Sequence, residues 1–195
     1  LGEGPFSERI ATRFGTRDFS QFKGAEMIAR KYGFDRETLD RFALESHRRA
    51  TKATEAGAFD AEIVPLAVEG GLHRRDEGIR ADATLDSIGS VRLLEEDGMI
   101  TAANASQICD GAAGVLVVSA AALKKYSLTP VARIVNLTVT AGDPVIMLEE
   151  PIAATQRALE RSGMKIDDID LYEVNEAFAP IPLAWLKELD ADPAK

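Results

Sequence analysis

In the second half of this chain an apolar strand-like run followed by a helical one recurs, which leaves few folds open to it. Gly114-Val115-Leu116-Val117-Val118 is uninterruptedly apolar, as a strand covered on both faces must be, and it leads into a helical Ala120 to Lys125. After Pro130, the β-branched stretch Val131 to Thr140 reads as a strand. Pro151, favoured at a first helical position, then opens a helix over Ile152 to Ser162 with Gly163 as its stop. A third unit begins with Ile169 to Val174 and runs into a helix ending near Leu189, where Pro180 and Pro182 each remove a backbone donor and predict a late or distorted start. Successive strand–helix units predict a layered α/β protein with a mixed sheet.

The first half reads differently. Ala25, Ile28, Ala29 and Tyr32 recur at helical spacing, and Gly33 is placed to end that helix in a left-handed conformation. Asp35 can cap a longer helix whose Leu39, Phe42, Ala43, Ser46, Ala50 and Ala53 form one stripe, with Gly57 closing it. Ile63 to Val68 reads as a short strand that Pro65 confines to an edge or a bulge. From Glu69 to Gln107 no period is sustained, which predicts a long loop of the kind that carries function.

Composition limits the partners. The 195 residues, 46% of them hydrophobic, suffice for one large or two small packed domains. A net charge of −9 disfavours attraction to nucleic acid or to an anionic membrane, so small molecules and other protein subunits are the expected partners. No apolar run approaches the roughly 18 residues that span a bilayer, and Leu1 to Phe6 lack a basic then apolar leader pattern, so a cytoplasmic location is expected. The single cysteine, Cys109, excludes an internal disulfide framework and any multi-thiolate metal site and suits a reducing compartment. No metal-ligand spacing or phosphate-loop motif occurs.

Three stretches could carry chemistry. Asn175-Glu176-Ala177-Phe178-Ala179 stands where a strand runs into a helix, the place at which α/β sheets gather ligands. Asn175 there is either a helix N-cap or a non-titrating amide that orients a water or an oxyanion, and Glu176 could simply complement the helix dipole. Gly98 to Ser106, followed by Asp110-Gly111-Ala112-Ala113, is rich in small residues. These either let a ligand lie against the backbone, with the Ser106 hydroxyl to fix an amide, or allow close packing of helix on sheet. His73-Arg74-Arg75, with Arg80 nearby, could receive phosphates or could be a solvated loop offset by Asp76 and Glu77. Cys109, just before a Gly-Ala-rich strand entry, reads as a buried small hydrophobe and not as a nucleophile, and His47 and His73 lie in surface-like charged contexts.

Taken together these stretches resemble the thiolases. The Asn-Glu-Ala-Phe-Ala signature of that family stands intact at Asn175 to Ala179, preceded by Leu159-Glu160-Arg161-Ser162-Gly163. Similarity extends through Thr101 to Ser106 with Asp110-Gly111-Ala112, Ala83-Thr84-Leu85-Asp86-Ser87, and Phe59 through Pro65. The resemblance implies an α/β layered sandwich of two similar halves with an inserted loop domain that covers coenzyme A. Residues 1–108 would be the later part of that loop domain, 109–129 the last part of the first half, and 130–195 the start of the second. It implies that Arg80 and Ser87 touch the nucleotide end of coenzyme A, that Ala102, Ala105 and Ser106 line its pantetheine, that Met147 and Phe178 border the acyl pocket, and that Asn175 holds an oxyanion-site water.

The chemistry so implied is acyl transfer by a thiolase, either cleavage of a 3-ketoacyl-CoA by coenzyme A or the reverse Claisen condensation of acyl-CoA. Coenzyme A is then a substrate, no cofactor is tightly bound, and the full-length enzyme is a homo-oligomer, dimer or tetramer. The family's nucleophilic Cys would lie upstream of Leu1, and its downstream His and second Cys beyond Lys195, which makes the isolated chain inactive. Cys109 matches a non-catalytic family position. Ser20 and Gln21 replace an expected His or Met, Gln107 replaces a frequent Gly, and Leu148-Glu149-Glu150-Pro151 replaces a more glycine-rich stretch. The long form over Ser20 to Glu26 looks more like degradative than biosynthetic thiolases. A thiolase-like protein that binds acyl-CoA or a partner without catalysis is the rival. A condensing enzyme acting on carrier-protein thioesters is disfavoured, because those enzymes use His near the position of Asn175.

Overall fold

Each helix starts at a side chain suited to cap it or at a proline. In the computed structural model, which describes residues 5–195, α1 (Glu8–Phe14) is capped by Ser7 and ended by Gly15. Helix α2 (Gln21–Tyr32) begins earlier than its apolar spacing predicts, because the Ser20 hydroxyl accepts the Lys23 N–H. Gly33, at φ 72°, stops it in the left-handed conformation expected of it. Asp35 accepts the Thr38 N–H at 2.8 Å and opens α3 (Arg36–Glu55), the longest element.

Strand β1 (Leu66–Val68) starts just after Pro65 and pairs antiparallel with β2 (Gly71–His73) in an exposed hairpin. Helix α4 (Leu85–Gly89) opens on a reciprocal capping box between Thr84 and Ser87. Both β2 and α4 fall inside the stretch expected to be an unbroken loop, since elements this short show no period.

Further on come α5 (Ala120–Lys125), α6 (Glu150–Ser162) with Gly163 at φ 69° as its stop, a 3₁₀ turn over Ile166–Asp168, and α7 (Pro180–Leu189). Helix α7 starts late, as the two prolines predict, beginning only at Pro180 itself. Pro180 and Pro182 both fall in its first turn, where a backbone N–H has no intrahelical partner to lose.

The core gathers Ala25, Ile28 and Ala29 of α2, Leu39 of α3, Ile100, Ile152 of α6, and Ile181, Ala184 and Trp185 of α7. Helix α7 packs on α2 and α6. The Trp185 indole N–H donates to Thr155 Oγ1 at 2.8 Å, which satisfies the polar end of an otherwise buried ring.

The strands expected at Gly114 to Val118, Val131 to Thr140 and Ile169 to Val174 do not form; these stretches carry no regular secondary structure. Val115 is 87% exposed and Val131 104%. A strand exists only as a member of a ladder, and no described segment pairs with these. Cys109 is likewise exposed instead of buried, because the strand entry it precedes has no neighbour to cover it.

Candidate active site

Helix α3 is the spine of a cleft of about 710 Å³. Its face supplies Phe42, Ala43, Ser46 and His47, while the opposing walls come from Arg80, Asp82 and Ala83, from Ser87 and Ile88 of α4, from Ala102 to Gln107, and from Asn175, Glu176 and Ala179.

The loop that carries the small residues is held from two sides. Glu26, 4% exposed, accepts the N–H groups of Met99 and Ile100 on one carboxylate oxygen, at 2.6 and 2.8 Å. Buried Asn104 accepts the Thr101 N–H at 2.9 Å and donates to Met99 O and to Asp40 Oδ1, both at 3.0 Å. Asp40 in turn accepts from Arg36 Nε at 2.7 Å. With its backbone fixed, the loop presents Ala102, Ala105 and Ser106 to the cleft with little side chain in the way.

That loop is tied directly to the Asn175–Ala179 segment. The Ser106 N–H donates to Ala177 O and the Ala179 N–H to Asn104 O, each at 2.9 Å, flanking an antiparallel bridge between Ala105 and Phe178. Asn175 is exposed at the cleft and precedes the N-cap, Ala179, by a full turn of chain, so it does not cap α7. Glu176 accepts the Ser46 hydroxyl at 2.7 Å, which makes it a strut to α3 and not a complement to a helix dipole.

On the other wall, Ser87 Oγ accepts the Thr84 N–H and donates to Thr84 O, fixing its rotamer. The Arg80 guanidinium donates to Glu77 O at 2.8 Å, and the Arg80 backbone N–H donates to His47 Nδ1 at 3.2 Å. A neutral His47 that accepts at Nδ1 carries its proton on Nε2. His47 therefore lies in the cleft and not in a surface context. The signal that could have found it is its i, i+4 relation to Ala43 on the cleft face of α3. Gln107 also lines the cleft and donates to Gly78 O at 2.6 Å.

Arg80, Ser87, Ala102, Ala105, Ser106 and Asn175 thus share one cleft. Met147 and Phe178 are not among its lining residues. Phe178 is buried and meets Phe22 edge-on at 5.4 Å, and Met147, at the left-handed φ of 39°, faces a separate hollow of about 540 Å³ with Tyr32, Glu149 and Lys187. There the Glu149 carboxylate accepts from Lys31 and Tyr32, each at 2.5 Å. Burial pushes the Glu149 carboxyl up, but these hydrogen bonds and the Lys31 charge outweigh it and hold it below the usual carboxylate value. Burial, then Glu149, pushes the Tyr32 phenol well above its ordinary value.

The basic cluster does not assemble around Arg80. Arg74 and Arg75 border another depression with Glu55 and Asp60, and His73 is exposed on β2. Cys109 lines none of these surfaces. No helix among the described residues is long and apolar enough to cross a membrane.

The sequence matches the thiolase N-terminal domain family over residues 20–121 and the thiolase C-terminal domain family over 128–195. The chain belongs to the thiolase family. It is 49% identical, over 97% of its own length and 46% of the relative's, to the steroid 3-ketoacyl-CoA thiolase FadA6 of Mycobacterium tuberculosis. It is 42% identical, over 88% of its length and 44% of the relative's, to the mitochondrial 3-ketoacyl-CoA thiolase of Mus musculus.

Its backbone superposes on the Bacillus anthracis acetyl-CoA acetyltransferase with a TM-score of 0.88 at 36% identity, covering 100% of this chain and 51% of that one. On human mitochondrial 3-ketoacyl-CoA thiolase in complex with CoA the TM-score is 0.85 at 41% identity, over 89% of this chain and 44% of that one. The fold is therefore the thiolase-like layered α/β fold. The chain spans about half the length of the thiolases it matches.

Proposed function

We propose that this chain forms the coenzyme A-binding cleft and one oxyanion-site residue of an acyl-CoA acyltransferase. The enzyme would cleave a 3-ketoacyl-CoA with coenzyme A or run the reverse Claisen condensation. The observation that carries this reading is the convergence of Arg80, Ser87, Ala102, Ala105, Ser106 and Asn175, from four separated stretches, on one cleft. A cationic and hydroxyl-bearing end suits the phosphates of the nucleotide, and a small-residue wall suits the thin pantetheine arm. In this reading residues 1–108 belong to the coenzyme A-covering loop domain, 109–129 to the first thiolase half and 130–195 to the second.

Asn175 donates a hydrogen bond to a water that donates in turn to the thioester oxygen, where negative charge develops as the carbon–carbon bond breaks or forms. The acyl group passes through a Cys thiolate supplied from outside these residues, since Cys109 does not line the cleft. Met147 and Phe178, which do not line the cleft, would border the acyl group only by the resemblance to thiolases. Preference for a 3-ketoacyl substrate follows the relatives named 3-ketoacyl-CoA thiolase, with FadA6 pointing to a ring-bearing acyl group. The full-length protein works as a homo-oligomer in a reducing aqueous compartment.

The test is thiolysis of acetoacetyl-CoA and of a ring-bearing 3-ketoacyl-CoA by the full-length protein. Cleavage abolished by filling the cleft with Ala105→Trp is expected. Undiminished cleavage in that variant would overturn the assignment of the cleft.

A further inference from the structure

We propose that Asp40 is a positioning residue that holds the nucleotide wall and the pantetheine wall of the cleft in register, and so sets the affinity for intact coenzyme A. This rests on the coenzyme A reading of the cleft.

Asp40 is 3% exposed, and both its oxygens are engaged: Oδ2 by Arg36 Nε at 2.7 Å, Oδ1 by Asn104 Nδ2 at 3.0 Å. Each partner grips a different wall. The far end of the Arg36 guanidinium donates to the carbonyls of Ile88, Gly89 and Val91, at 3.2, 3.3 and 3.3 Å. Ile88 and Gly89 end α4, where helix carbonyls run out of intrahelical partners, Val91 follows just beyond its cap, and α4 carries Ser87. Asn104 fixes the backbone of the small-residue loop and, through its own carbonyl, the start of α7. One carboxylate therefore joins the two walls of the cleft.

A surface i, i+4 ion pair would explain Arg36 with Asp40 if the pair were exposed, but the Asp40 side chain is only 4% exposed and its second oxygen bonds a residue 64 positions away. A buried charge of this kind gains little stability over apolar packing. What it adds is directional: Asp40 can accept from both partners at once only if both walls stand where they do. Coenzyme A, which spans both walls, feels that register. A fragment that touches one wall does not.

The test is isothermal titration of the full-length protein and its Asp40→Asn variant with coenzyme A, with pantetheine and with adenosine 3′,5′-bisphosphate. An Asn at position 40 must turn its NH₂ toward either Arg36 or Asn104, both donors, and so releases one wall. Coenzyme A should bind roughly 10–100-fold more weakly, while each fragment stays within about twofold of wild type. Unchanged coenzyme A affinity in Asp40→Asn overturns the proposal, and so does a loss shared equally by the fragments, which would mean general loosening. If Asp40→Asn does not fold, Arg36→Lys carries the test: it keeps a cation beside Asp40 but cannot reach the carbonyls of α4. The same selective loss is expected, and wild-type affinity for coenzyme A would overturn the proposal. A wild-type protein that binds none of the three ligands would remove the coenzyme A reading and this proposal together, whereas wild-type binding retained in Asp40→Asn removes only the proposal.

Discussion

A single methyl group at position 98 should unlatch the loop that forms the small-residue wall. Gly98 does not sit at a left-handed φ, so Ala is compatible with its backbone, and the smaller conformational freedom of the unfolded chain would by itself favour Gly98→Ala by roughly 0.4–1 kcal/mol. The new Cβ, however, would overlap Glu26 Oε1 and stand 3.1 Å from its Cδ and 3.2 Å from Glu95 O. Glu26 is buried and must yield, giving up the bonds it accepts from the Met99 and Ile100 amides. Hydrogen bonds to a charged acceptor contribute about 1.5–3 kcal/mol each, so the net loss should be roughly 2–5 kcal/mol. Glu26→Ala removes the same bonds and also the obstacle. Adding Gly98→Ala to it should then cost almost nothing, which leaves a coupling of roughly 2–5 kcal/mol between the two changes. Urea denaturation of the two single variants, the double variant and the wild type measures it. Costs that add to within about 0.5 kcal/mol would refute the contact.

Asn175→Ala should lower kcat roughly 10²–10³-fold with the melting temperature unmoved, because Asn175 is exposed and does not cap α7, and Asn175→Asp should be at least as slow; full turnover in the Asp variant would remove the oxyanion role. Glu149, its carboxyl held below the ordinary 4.5, contributes stability that is present above that value and is lost as pH falls through the lowered folded value, so the acid limb of the melting curve should be steeper in wild type than in Glu149→Gln. Tyr32, raised above its ordinary 10.0 by burial and by Glu149, contributes stability that is present below that value and is lost as pH rises through the folded value; Tyr32→Phe should flatten the alkaline limb, and parallel curves would count against the pairing. Trp185→Phe, which strips Thr155 of its indole donor in the core, should cost roughly 1–3 kcal/mol in urea denaturation.

What the sequence discloses here depends on whether the information is local. Caps and stops are local: Asp35, Gly33, Pro151 and Gly163 each act within a turn of their own position, and the helices they bound were readable. Residue type and position single out Asn175, the small residues up to Ser106 and Arg80, but not that they meet in one cleft, nor whether Asn175 caps a helix; their shared role comes only from the resemblance to thiolases. The three unformed strands mark the opposite case. An apolar run such as Val115 to Val118 states what must be buried but not against what, and no segment among the described residues pairs with it. Asp40 draws no notice in the sequence, and His47 reads as a surface residue, for a related reason. Each sits on a helix face that looks ordinary in one dimension, and each is defined by a partner far along the chain, Asn104 in one case and the Arg80 amide in the other.

Hydrogen–deuterium exchange of the full-length protein, with and without saturating coenzyme A, shows whether the ligand occupies the cleft along α3. Bound there, coenzyme A slows exchange in peptides covering 80–88 and 102–107, from opposite walls, and leaves the Tyr32 and Glu149 hollow unchanged. Protection confined to that second hollow, or absent from both walls of the cleft, would contradict that placement.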